Sequence, residues 1–391
     1  MEKTVKLVAY IIVLSEGRTK CNYCLKIASP ACTELEVLTL DWLVKAMDLP
    51  SKFLSSSGGG GVIQMSASAA SLMMILSLRS SMLRQVQEAS ARPGSMVDKM
   101  VVYLSDQAHS SVERACRIAL VQARIIETCP QEGYKLNSCK LKEAIDKDRQ
   151  AGYIPLLCFA TMGTTNSCVF DDLRSISQVC KETNVWCHVD AAYAGSALVC
   201  PELRHLADGV DAVDSFNYNP HKMQRVAFDC SVLWVKDKHL LNNSFNVDPT
   251  YLQHDYDDSM PEYRNWQISL GRRFRALKLW FVLRMFGLQG LREYIRKHCE
   301  LAKKFQAMMQ ENERFQIINS VDMGLVCFRL DNCDEATKKL NELLLEQRQI
   351  YMVLGSFKTS CTGQKDDGFF FLRFVVCSHL AEEQDVVNAY K

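Results

Sequence analysis

The stretch between Asn184 and Trp234 constrains this chain more than any other. An apolar run, Val185-Trp186-Cys187-His188-Val189, ends on Asp190 and passes into Ala191-Ala192-Tyr193-Ala194-Gly195. A second run, Ala212 to Tyr218, ends on Asn219-Pro220-His221-Lys222. Short apolar segments that each deliver a polar group at their end read as neighbouring buried strands of a parallel sheet. Ligands of such sheets are held just beyond the carboxyl ends of the strands, so an acid and a lysine are expected to converge on one crevice.

The rest of the chain fits that frame. Val101 to Leu104, Ile154 to Phe159, Val185 to Val189, Ala212 to Phe216 and Cys230 to Val235 are candidate strands, with segments between them long enough for crossover helices. This alternation predicts an α/β chain with a mainly parallel sheet. A long helix is expected over Ala276 to Phe286, followed by a smaller C-terminal α/β domain with strands at Gly324 to Leu330 and Phe369 to Cys377. The expected division is a divergent segment over 1–27, a large domain over 28–277 and a small domain over 278–391. Ser29-Pro30-Ala31-Cys32-Thr33-Glu34 reads as a capped helix start, with Leu35, Leu38, Trp42 and Leu43 on one apolar face. The run Ser55 to Gly61 reads either as a linker or as the approach to a phosphate cradle, because it leads to a helix that begins with Ser and Ala and would turn backbone N–H groups toward an anion.

Composition narrows the function classes. With 391 residues, 48% apolar content and a net charge of +1, the chain is an ordinary globular one, and near-neutrality without a basic block argues against nucleic-acid or membrane-surface partners. Lys3 to Leu14 has the charge and apolar stretch of a weak signal peptide but no small-residue cleavage site, and it falls short of the roughly 20 apolar residues of a spanning helix. The seventeen cysteines are odd in number and sit mostly inside apolar runs, as buried thiols of a cytoplasmic protein do. Cys21 and Cys24 form a Cys-x-x-Cys with no second pair at zinc spacing, so no metal site is expected.

An acid and a lysine in one crevice suit pyridoxal phosphate, which needs an amine to carry its aldehyde and a carboxylate to keep its ring nitrogen protonated. Asp190-Ala191-Ala192-Tyr193-Ala194-Gly195, Asn219-Pro220-His221-Lys222, Phe228-Asp229-Cys230-Ser231 and Leu270-Gly271-Arg272-Arg273-Phe274 together resemble the group II pyridoxal-phosphate decarboxylases, within them the branch acting on aromatic L-amino acids. The resemblance runs from about Ala28 to near the C-terminus. It implies the fold type I of pyridoxal-phosphate enzymes, a homodimer, and decarboxylation of dopa, 5-hydroxytryptophan or a similar acid to the amine.

The resemblance also assigns roles. Lys222 carries the cofactor and Asp190 faces its ring nitrogen; Ala67, Ser68 and Asn219 hold the phosphate; Thr164, Ala192 and His221 contact the cofactor or its lysine. His109, which by itself reads as a structural histidine or a functional one, matches a residue that stacks on the pyridine ring and faces the substrate. Tyr251, in a polar loop punctuated by Pro249, matches a proton donor, where Phe is associated with aldehyde-forming relatives. Leu270 and Gly271 match residues that reach the partner subunit's phosphate, and Gly271 stands where histidine decarboxylases have Ser, leaving room for an aromatic ring.

Some positions depart from the family pattern. Met65 stands for Gly, Ala69 for Glu, and Met223-Gln224-Arg225 for Trp-Leu-Leu; a Gln-Arg pair beside the cofactor is costly unless it reaches solvent or the dimer seam. The first two dozen residues read as unrelated to the helical arm that wraps the partner in relatives, and the C-terminus stops early. Three readings stay open: an aromatic-acid decarboxylase, an aldehyde-forming enzyme or decarboxylase of another acid, and a low-activity paralogue that binds cofactor or dimerises.

Overall fold

A computed structural model describes residues 29–87, 93–247, 260–348, 350–358 and 368–391. In chain order the elements are α1 (Pro30–Ala46), β1 (Gly60–Gln64), α2 (Ala67–Gln87), β2 (Met100–Ser105), α3 (Ser110–Ala119), β3 (Gln122–Ile126), α4 (Ser138–Gln150), β4 (Ile154–Thr161), α5 (Leu173–Glu182), β5 (Trp186–Asp190) and β6 (Ser215–Tyr218). They continue with α6 (Pro220–Met223), β7 (Ser231–Val235), α7 (Lys238–Phe245), α8 (Arg275–Gln310), β8 (Phe315–Ile317), β9 (Leu325–Leu330), α9 (Asp334–Gln347), β10 (Val353–Lys358), β11 (Gly368–Val375) and α10 (Glu383–Tyr390).

Seven strands form one sheet in the order β1-β7-β6-β5-β4-β2-β3, and four form a second, antiparallel sheet in the order β10-β11-β9-β8. The run β6-β5-β4-β2-β3 is parallel throughout, as the buried apolar strands require, while β7 is antiparallel to both β6 and β1. The strand expected at Ala212 to Phe216 lies slightly later, because Val210–Ala212 form a 3-10 turn before β6 begins at Ser215. The glycine run is no linker at its far end. Gly60 and Gly61 belong to β1, and a Cβ on Gly61 would stand 2.6 Å from the Trp234 ring of β7, so only glycine lets this edge pair form.

The buried face of α1 differs from the one expected. Leu43 is buried, but Leu38 and Trp42 are exposed, and the inward positions are Glu36, Thr39, Leu40, Leu43 and Val44. The inward turn is set by Glu36: its carboxylate accepts the Ile63 N–H of β1 at 2.8 Å and pairs with Arg272 at 2.6 Å, both side chains almost wholly buried. A sequence scan for apolar periodicity places Glu on the outside, and only a partner remote in sequence draws it in.

The long helix α8 is broken at Gly287, whose φ of 60° and ψ of 179° are not helical. Its first turns bury Ala276 and Leu279 in the core of the large sheet, whereas Leu301, Ala302, Phe305 and Met309 bury in the core of the smaller one. The helix therefore belongs to both layers, and residue 277 lies within its first turn. All fourteen described cysteines are free thiols and ten of them are buried, consistent with packing rather than cross-linking. Among the described residues no helix is long and apolar enough to cross a membrane.

Because Arg272 neutralises a carboxylate that has no route to water, Arg272→Met is expected to lower unfolding free energy by about 3–5 kcal/mol. Glu36→Gln, which keeps an oxygen for Ile63 N–H, should cost less; urea denaturation midpoints of the two variants check the order.

Candidate active site

Strands β2, β4, β5 and β6 end side by side and their carboxyl ends carry the expected residues. β5 and β6 run parallel with Asp190 level with Asn217. Beyond them Ala191 N–H donates to Asn217 O at 2.9 Å and Asn219 N–H donates to Ala192 O at 3.1 Å, so the two chain segments stay zipped past the strand ends. Pro220 then starts the one-turn helix α6, where its fixed φ suits the first helical position, and Lys222 follows two residues later. The juxtaposition of Asp190 and Lys222 is thus built by backbone pairing.

Lys222 is an exposed residue of α6 whose amine is nevertheless crowded by neighbouring protein. Loss of hydration lowers its pKa from the usual lysine value, and the Asp190 carboxylate works in the opposite direction. Asp190 is buried, and its Oδ1 accepts the Ala192 N–H at 3.0 Å. Directly below, on the same face of β5, His188 bridges to β6: Nδ1 meets Ser215 Oγ at 2.8 Å and Nε2 meets Asn217 Oδ1 at 2.9 Å. Burial pushes the His188 imidazole down to about 4, so it is neutral near pH 7. Sequence reasoning passed over His188; its spacing of two before Asp190 was the available signal, since alternate strand residues share a face.

His109 is the N-cap of α3. Its Nδ1 accepts the Ser111 N–H at 3.1 Å and lies 2.7 Å from Ser111 Oγ, while the ring itself is exposed. An Nδ1 that accepts a backbone N–H leaves the hydrogen on Nε2 of the neutral ring, so capping sets both the orientation and the tautomer. Thr164 is buried in the turn after β4, where its Oγ1 accepts Val169 N–H at 3.0 Å and sits 3.3 Å from Ser167 Oγ. The turn depends on Gly163, at φ 80°, where a Cβ would come within 2.5 Å of the Ala194 Cβ.

Ala67 and Ser68 open α2. Ser66 Oγ accepts the Ala69 N–H at 3.1 Å, and the amides of Ala67 and Ser68 have no protein acceptor among the described residues. Asn219 is buried, and among the described residues its Oδ1 has no partner; Ser105 Oγ at the end of β2 and Asn217 Nδ2 on β6 are likewise unpaired there. His221 Nδ1 accepts the Cys230 N–H at 2.9 Å, its ring meets Phe228 edge-on at 4.9 Å, and desolvation lowers its pKa. Gly271 lies elsewhere, on a groove of about 570 Å³ that Ser68 and Ser111 also line but Lys222, Asp190 and Asn219 do not, and Leu270 is exposed beside it in sequence. Chemistry rather than volume therefore defines the site. Tyr251 lies outside the described residues.

The unusual residues after Lys222 offset the expected penalty only in part, since among the described residues the buried Gln224 Nε2 has no partner. Gln224 is fully buried with its Oε1 accepting the Tyr218 hydroxyl at 3.2 Å, and the Arg225 guanidinium packs 4.3 Å from the Phe286 ring centre and 5.2 Å from that of Tyr294. The amide oxygen finds a phenol, and the half-buried cation keeps some contact with solvent while it packs on two π faces.

Unpaired buried polar atoms at the strand ends, free amides at the start of α2, an under-hydrated lysine and a facing carboxylate make a donor set that fits pyridoxal phosphate. The sequence pattern of the pyridoxal-dependent decarboxylase conserved domain matches residues 7–331, and the chain belongs to that family. An aromatic-L-amino-acid decarboxylase from Rattus norvegicus is 46% identical over 371 residues, covering 93% of this chain and 75% of the relative. Among solved structures, Oryza sativa TDC with PLP and tryptamine superposes with a TM-score of 0.87 at 36% identity, over 94% of this chain and 76% of that one. Rhodiola rosea 4-hydroxyphenylacetaldehyde synthase superposes with a TM-score of 0.84 at 34% identity, over 94% and 75%. The cofactor of this chain is accordingly pyridoxal phosphate.

The neutral His188 makes a pH prediction. The unfolded chain binds a proton at this ring near pH 6.5 and the folded chain only near 4, so this contribution is complete above 6.5 and lost as pH falls toward 4, by about 3 kcal/mol. The stability gap between wild type and His188→Gln, read from urea midpoints, should therefore narrow between pH 7 and 4.5; a constant gap would refute the assignment.

Proposed function

We propose that this chain decarboxylates aromatic L-amino acids of the dopa or 5-hydroxytryptophan kind to the amine and carbon dioxide, as a cytoplasmic homodimer. The observation that carries the reading is the paired delivery of Asp190 and Lys222 by parallel neighbours β5 and β6. When bound, pyridoxal phosphate supplies an aldehyde for amines and a protonated ring that accepts the electron pair left as carbon dioxide departs.

The chain's own groups do the rest. Lys222, with its pKa lowered by desolvation, offers a larger fraction of free amine to the cofactor aldehyde than an exposed lysine does. Asp190 holds the proton on the ring nitrogen, with the Ala192 N–H fixing its Oδ1. The amides of Ala67 and Ser68, the Ser68 hydroxyl and Asn219 take the phosphate. Thr164, Ala192 and His221 frame the cofactor, and His109 presents a ring whose Nε2–H is free to meet substrate. Tyr251 supplies the final proton to the substrate carbon, which favours amine over aldehyde.

The dimer reading rests on the groove around Gly271. Met65, Ile118 and Ile268 stand exposed there, and clustered exposed apolar side chains mark a contact surface. Among the described residues, a Cβ on Gly271 would meet nothing within 4 Å. The absent side chain thus serves no internal packing need, and the space is available to a partner's ligand.

Borohydride reduction of the loaded protein should place the pyridoxyl label on Lys222, and dopa should give amine and carbon dioxide in equal amounts. A label on another lysine would sink the site, and aldehyde with ammonia and peroxide would favour the oxidative chemistry instead. Gly271→Ser should leave thermal stability and cofactor uptake unchanged while turnover of dopa falls on the order of tenfold, since a pocket resists one added group by about that factor. Equal turnover by wild type and variant would show that Gly271 does not face substrate.

A further inference from the structure

A closed circuit of polar groups ties the smaller sheet to the two turns that carry His109 and Thr164. It starts at Asn166, two residues after Thr164, whose Nδ2 donates both to Ser356 O of β10 at 2.8 Å and to Gln107 Oε1 at 3.2 Å. Gln107 Nε2 points on to Asp106 Oδ1 at 3.4 Å, an oxygen that also accepts the Thr128 hydroxyl at 2.7 Å. The other Asp106 oxygen lies 3.9 Å from the Lys358 ammonium, which is held by Glu127 at 2.6 Å. Ser356 and Lys358 are alternate residues of β10, so both ends of the circuit return to one edge of one strand. Tyr134 stacks face to face on Phe357 between them, with ring centres 3.6 Å apart, and its hydroxyl donates to Lys358 O at 3.1 Å.

None of these groups forms a hydrogen bond or ion pair with Lys222 or Asp190, and of them only Phe357 and Tyr134 take part in the apolar core. What they share is position. Gln107 lies two residues before His109 in the turn after β2, and Asn166 lies in the turn closed by Thr164 Oγ1. Further bonds from the smaller domain reach only the second turn: Asn319 Nδ2 donates to Ser167 O at 3.1 Å and Arg373 to Thr165 O. The His109 turn is reached through Asn166, Gln107 and Asp106.

We infer that Asn166 and Lys358 are positioning residues: through Gln107 and Asp106 they use strand β10 of the smaller domain as a template that fixes the His109 turn against the Thr164 turn for catalysis. This rests on the roles proposed above for His109 and Thr164. A side chain held by one such circuit loses its placement when either end opens, and misplacement by a fraction of an ångström affects the reacting geometry more than binding.

The test is a double-mutant cycle on the holoenzyme with dopa as substrate. Asn166→Ala and Lys358→Ala should each lower kcat on the order of tenfold with KM and cofactor occupancy changed less than about twofold, and the double variant should lose little more than either single one. Lys358→Arg should restore most of the rate, and Arg314→Ala, which breaks an exposed pair with Asp331 on the far side of the same sheet, should have no effect. Wild-type kcat in both single variants, or losses that multiply in the double, would overturn the inference. A wild-type protein without turnover would instead fault the proposed function. In that case amide exchange over Asp106 to Val112 without ligand decides: acceleration in both alanine variants supports the circuit, and unchanged exchange refutes it.

Discussion

The parallel pairing of β5 with β6 is the constraint from which the site follows. Three backbone positions are in register, His188 with Ser215, Val189 with Phe216 and Asp190 with Asn217, and the His188 ring adds a side-chain cross-brace between the same two strands. Because the strands run in the same direction, both deliver their next residues to one edge of the sheet. Antiparallel neighbours would send Asp190 and the turn before Lys222 to opposite edges. The brace is neutral, so it adds no charge beneath Asp190, and the attraction between that carboxylate and the Lys222 ammonium is left as the local electrostatic relation.

Around this pair the structure uses remote partners to hold short turns. The Thr164 turn requires a glycine because Ala194 approaches so closely, and it is bonded to the smaller sheet at several points. The start of α2 is held through β1, which is anchored by Glu36 and Arg272 across more than two hundred residues of chain. Rigid placement by distant segments leaves the polar atoms nearest the crevice unpaired by protein, as seen at Ser105, Asn217 and Asn219. Unpaired buried polar atoms cost free energy in the chain alone.

Gln224 and Arg225, which depart from the family pattern beside Lys222, find partners on β6 and α8. Both follow Lys222, but the chain turns sharply there, with Arg225 at φ 60°, and carries the two side chains away into separate environments. The amide meets Tyr218 and the guanidinium meets aromatic rings of α8, so the change lies in how α8 packs on the large sheet.

Much of this was legible along the sequence because it depends on local order. Apolar runs ending on Asp190 and Lys222 declare buried strands and what they deliver, and alternating runs and crossover segments declare a mainly parallel sheet. Gly163, at positive φ, and Pro220 before the lysine mark turns whose backbone tolerates few alternatives. What sequence could not supply was the identity of partners far along the chain. The inward face of α1 is chosen by Arg272, which no helical period within Pro30–Ala46 encodes. His188 looked like one more residue of an apolar run until β6 placed Ser215 and Asn217 against its two nitrogens. Asn166 and Lys358 carried no motif at all. Local periodicity determines which faces are apolar and where strands end, whereas pairing between polar groups depends on three-dimensional approach, and only the tertiary structure decides which of them meet.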